Sequence, residues 1–162
     1  MAEDSNNPAR RRFLAGVGGL AGAVTLAPAA RAAEDGLSFP GEDPEIRIVF
    51  QVNRDDSEYY SQLLFSMGEI LRQLDNQAQL VAVGFGPGLR LLLKESTETV
   101  SAEQTDRINS LMTYDVSFRA CRNTMDAMGV ADENLLDGVE PVPAGVLEMA
   151  RLQQEGYSYV AW

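Results

Sequence analysis

Apolar residues recur along this chain with two different periods, and each change of period marks a new element. "IRIVFQV" (46–52) alternates and is rich in β-branched residues, which predicts a strand. In "NRDDSEYYSQLLFSMGEILRQLD", Tyr60, Leu63, Leu64, Met67, Ile70, Leu71 and Leu74 recur at three- and four-residue spacing. That is the stripe of an amphipathic helix. Asp55, with Glu58 three residues on, is placed for a capping box at its start. "AQLVAVGFG" (78–86) is a continuous apolar run, as a strand buried on both faces requires. "PGLRLLLK" predicts a short helix with Pro87 in its first turn, and "SAEQTDRINSLM" another with Ser101 as its N-cap. "DVSFRAC" (115–121) is expected to be a strand and "NTMDAMG" a helix ending at Gly129. "DGVEPV" suits a short strand, "AGVLEMARLQQEG" a helix and "YSYVAW" a final strand.

Repeated strand–helix units of this length predict an α/β fold. Its mainly parallel sheet, of about five strands, should carry helices on both faces. In such sheets ligands and chemistry collect beyond the carboxyl ends of the strands. Cys121, the only cysteine of the 162-residue chain, stands at one of those ends.

The front of the chain follows neither period. Residues 1–32 carry a basic stretch, Arg10-Arg11-Arg12, then a weakly apolar run from Phe13 to Ala27. Small residues at Ala30 and Ala32 offer a cleavage site before Ala33. The apolar run is too short and too rich in Gly and Ala for a spanning helix of about 20 residues. "RRRFLAG" resembles a twin-arginine export signal, with Arg10 and Arg11 as the pair. The expected organisation is therefore an export signal over 1–32, a Pro/Gly-rich linker over 33–45 and one domain over 46–162. The expected location is the periplasm, with no membrane insertion once the signal is cleaved.

Charge and composition then narrow the chemistry. With 13 basic and 24 acidic residues the chain carries −11. Losing residues 1–32 removes four arginines and two carboxylates, which leaves −13. Binding nucleic acid needs clustered cations, so that partner is excluded. The absence of histidine rules out Ser-His-Asp and Cys-His nucleophile pairs and any His-liganded metal site. A single cysteine rules out an internal disulfide, a CxxC pair and a Cys-cluster zinc site. No metal or cofactor is expected.

Within "VSFRACRNTMDAMG", Cys121 should lie at the head of a helix, where free N–H groups and the positive end of the dipole favour a thiolate. Arg119, two residues back on an extended strand, and Arg122 could add positive charge, with Asn123 and Thr124 in the turn that follows. The same pattern also fits a small buried hydrophobe whose neighbouring arginines face carboxylates, and spacing leaves both open. "GFGPG" (84–88) lacks the spacing of a dinucleotide loop and fits a tight turn. Gly84, Gly86 and Gly88, with Asn53, are candidates to line the cleft beside the thiol. The carboxylates of "NRDDSE" fit an N-capping cluster better than acid–base or metal work. Tyr157, Tyr159 and Trp162 alternate along the last strand, as core or subunit-contact residues would.

Together "VAVGFGPGLRLLL", "VSFRACRNTMDAMGV", "VPAGV" and "RLQQEGYSYV" resemble the DsrE/DsrF-like family of small sulfur-relay proteins, from about Ile46 to Val160. The resemblance implies a three-layer α/β/α sandwich and assembly into trimers or hexamers. It also implies that Cys121 carries sulfane sulfur as a persulfide between donor and acceptor proteins, as a carrier more than a turnover enzyme. Two alternatives use the same cleft or surface: a non-catalytic oligomeric module that binds a small ligand, and an accessory subunit of a heteromeric complex.

Overall fold

The computed structural model describes residues 44–95 and 97–162. The expected export signal and most of the expected linker, residues 1–43, lie outside them. The elements follow in the order β1 (Ile46–Val52), α1 (Ser57–Gln73), β2 (Ala78–Gly84), a 3-10 helix (Gly86–Leu92) and α2 (Ala102–Thr113). Then come β3 (Ser117–Cys121), α3 (Arg122–Met128), a short 3-10 turn (Asp132–Asn134), β4 (Glu140–Val142), α4 (Gly145–Gln154) and β5 (Ser158–Ala161). The five strands form one sheet in the order β4-β3-β2-β1-β5, with every pairing parallel.

That order fixes where the helices go. From β1 to β4 the chain steps across the sheet in one direction, so right-handed connections lay α1, α2 and α3 on the same face. The connection from β4 to β5 runs back the other way and lays α4 on the opposite face. The result is a three-layer α/β/α sandwich with unequal outer layers. On the heavily covered face Phe50, Leu80 and Phe118 of the strands pack with Leu63 and Met67 of α1, Ile108 of α2 and Met125 of α3. Beneath α4 a smaller core joins Val49, Val81 and Val83 to Met149 and Leu152. Full burial of each such side chain stabilises the fold by about 1.5–3 kcal/mol.

Local signals mostly act where the pattern put them. Ser101 caps α2 through a reciprocal box with Gln104, and α3 stops at Gly129, whose left-handed backbone suits glycine. The cap of α1 falls one residue later than expected. Asp56, not Asp55, holds extended backbone before the first turn and accepts the Tyr59 N–H at 2.7 Å. Asp55 instead pairs with Arg90 at 3.1 Å and accepts the Thr99 hydroxyl. "PGLRLLLK" winds as a 3-10 helix rather than an α-helix. Here Gly88 presses against the end of β1, where a Cβ would lie 2.3 Å from the Val52 carbonyl oxygen. Among the described residues, no helix is long and apolar enough to cross a membrane.

Candidate functional site

β3 delivers its residues to alternate faces of the sheet. Phe118 and Ala120 enter the larger core, while Ser117, Arg119 and Cys121 face the side that carries α4. Cys121 ends the strand and is itself the N-cap of α3, with extended backbone. It is only 6% exposed. Four donors face its sulfur: the N–H groups of Gly145, Thr124 and Asn123, and the Thr124 hydroxyl. Two of these N–H groups belong to the first turn of α3 and one to the first residue of α4. The starts of two helices therefore converge on a single sulfur atom.

Burial pushes the Cys121 thiol up, because the anion loses its water. Hydrogen bonds from Gly145, Thr124 and Asn123 stabilise the anion and outweigh that effect, so the thiol lies below its ordinary value of 9.0. Thr124 also reaches the neighbouring loop. Its oxygen accepts the Gly86 N–H at 3.0 Å while its hydroxyl donates to the sulfur. Gly145 permits the approach of α4. A Cβ there would stand 3.2 Å from the Cys121 Cβ and 3.2 Å from Phe85 Cδ1, tighter than ordinary contact.

The two arginines face carboxylates. Arg119 pairs with Glu148 of α4, lies 3.7 Å from Glu140 of β4, and donates to the Ser117 hydroxyl at 3.3 Å. Arg122 forms a two-point pair with Asp132. The thiol's own donors are neutral groups, three of them backbone. Asn123 contributes its N–H, and its residue is otherwise exposed. Of the expected cleft residues, Gly86 is tied to the thiol by a hydrogen bond, through Thr124. Gly84 and Gly88 are buried as packing positions beneath the 3-10 helix and against β1. Asn53 follows β1, two strands from Cys121, with its N–H on the Tyr59 hydroxyl.

Gly145 and Glu148 belong to this site and were not among the residues singled out from sequence. Their only signal was the glycine of "VPAGV" opening a helix, which alone cannot show which strand end it will meet.

A parallel three-layer α/β protein with a thiol at a strand end, its pKa lowered by neutral hydrogen-bond donors, is the class that fold and site define. The chain belongs to the DsrE/DsrF-like family, whose pattern matches residues 46–162. None of the curated proteins matches it in sequence. Among solved structures it is similar to MTH1491 from Methanobacterium thermoautotrophicum, a protein of unknown function. The two are 28% identical over 73% of this chain and 100% of that one, with a TM-score of 0.66. The fold is shared with the ychN protein from E. coli, 18% identical over 74% of this chain and 99% of that one, with a TM-score of 0.57. It is shared also with BT1422 from Bacteroides thetaiotaomicron, 12% identical over 77% and 99% of the two chains, with a TM-score of 0.56.

Proposed function

We propose that this protein is an exported carrier of sulfane sulfur, which it accepts and passes on as a persulfide of Cys121. The observation that carries the reading is the convergence of three N–H groups and one hydroxyl on the Cys121 sulfur. Such a nest stabilises a thiolate, and a persulfide anion carries the same charge one atom further out. Loading is an exchange at sulfur. The Cys121 thiolate attacks a terminal atom of a polysulfide dianion, one S–S bond forms and one breaks, and a polysulfide shorter by one atom leaves. Charge and sulfur count balance without an oxidant. Unloading is the converse: an acceptor thiolate attacks the outer sulfur and Cys121 leaves as its thiolate. The chain contains no histidine, so ionisation of the thiol rests on its surroundings rather than on a neighbouring base.

Export rests on the Arg10–Arg11 signal, and replacing both with lysine should leave uncleaved precursor in the cytoplasm. In an oxidising compartment a lone cysteine has no internal partner with which to form a disulfide. Assembly into a trimer or hexamer is part of the proposal and is read by light scattering at micromolar concentration, where a monomer would refute it.

The 6% exposure of Cys121 favours a second reading, in which the thiol is a packing residue of a non-catalytic binding module. Incubation with polysulfide and measurement of intact mass separate the two. The carrier gains one sulfur atom that a reductant removes, and Cys121→Ser folds normally but gains none. A native protein that takes up no sulfur is a binding module or accessory subunit.

A further inference from the structure

We propose that Arg119 and Glu148 are positioning residues for the Cys121 thiol, a role that presupposes Cys121 as the reacting group. Their ion pair pins the first turn of α4 to β3 and so holds the Gly145 N–H on the sulfur. Two rungs connect these elements. Arg119 lies two residues before Cys121 on the same face of β3, and Glu148 lies three residues after Gly145, one turn along α4. One rung is the ion pair and the other is the N–H···S contact.

The pairing of Val142 with Cys121 brings the chain to this corner, and the side chains that open α4 add little to hold it there. Its N-cap, Ala144, provides no side-chain cap, and the next two residues after Gly145, Val146 and Leu147, are 65% and 48% exposed. The apolar anchors of the helix, Met149 and Leu152, sit further along it. The ion pair is sheltered enough to act as a fastening, with the two side chains 23% and 12% exposed. Solvent and salt screen such a pair less than an open one. The groups that face Arg119 are Glu148 from α4, Glu140 from β4, the Ser117 hydroxyl on its own strand and Tyr157 ahead of β5. On the α3 side of the thiol stand Arg122, Asp126 and Asp132.

Positioning and direct charge make opposite forecasts. Glu148→Gln keeps the side-chain length and removes the pair, leaving Arg119 with Glu140 at 3.7 Å and raising the net positive charge on the sheet face it shares with Cys121. Arg119→Gln removes the pair and the cation together. The readout is the pH profile for alkylation of the native protein by iodoacetamide, with thermal melts to verify folding. If the pair positions α4, both variants move the profile to higher pH, and the rate at neutral pH falls about tenfold for each pH unit by which the midpoint rises. A downward move in Glu148→Gln, or an unchanged profile in both variants, overturns the proposal. Should either fail to fold, Glu148→Asp keeps the charge but shortens the reach. A rise in the midpoint then supports positioning, and an unchanged profile overturns it. Polysulfide loading of the wild type is measured on the same preparation. Failure there defeats the carrier reading, while the alkylation comparison still decides the role of the pair.

Discussion

On one face of the sheet three helices press Phe50, Leu80 and Phe118 into a continuous core. On the other, a single ten-residue helix covers Val49, Val81 and Val83 and leaves Ser117, Arg119 and Cys121 along its margin. The strand order causes this imbalance, since only the return from β4 to β5 crosses the second face. A helix held by a small core can start within reach of a strand end and present its N–H groups there. The heavily covered face maintains the fold, and the lightly covered one has room for chemistry.

Substitutions on the two faces should therefore differ in kind as well as size. Phe118→Ala, at a fully buried position of the larger core, is expected to cost about 3–5 kcal/mol in urea unfolding. Met149→Ala beneath α4 should cost about 2 kcal/mol and should also move the thiol profile, because it loosens the helix carrying Gly145. Equal losses with no change at the thiol would erase the distinction between the faces.

Smaller effects sharpen it. Thr124→Val leaves the Gly86 N–H without its 3.0 Å acceptor and removes one of the sulfur's four donors, the hydroxyl. About 1 kcal/mol of stability should be lost, and alkylation should need a higher pH. Gly145→Ala should change stability by less than about 1 kcal/mol, since alanine favours helix. Its Cβ must nevertheless push α4 away from Cys121, which slows alkylation at neutral pH. A normal profile in that variant would show that the α4 N–H does not act on the thiol.

The smallest effect concerns linkage. The folded protein holds the Cys121 thiol below 9.0, so in the window between its folded and unfolded values the unfolded chain binds more protons. Stability contributed by the thiolate is then fully present above the unfolded value and is lost as pH falls through the folded one. Relative to Cys121→Ser, the wild type should gain stability as pH rises through that window, as read by paired thermal melts.

The periodicity of the sequence carried the strand–helix alternation because packing on a sheet demands it. The Ser101 cap and the Gly129 stop were legible for the same local reason. Register was not. Asp55 and Asp56 are adjacent carboxylates, and only the backbone at Asp56 decides which one caps α1. Arg119 was placed correctly beside Cys121 along the strand, but its partner Glu148 lies 29 residues away on a helix whose face no local pattern specifies. Gly145 was hidden for the same reason. Its proximity to Cys121 depends on a crossover, and a crossover is a property of strand order.

The rate of native alkylation across pH tests the central claim most directly. If two helix starts hold Cys121 as a reachable anion, the folded protein reacts without denaturant, with a midpoint below the 9.0 of an ordinary thiol. A thiol that reacts only after unfolding would contradict that claim and make Cys121 a core residue.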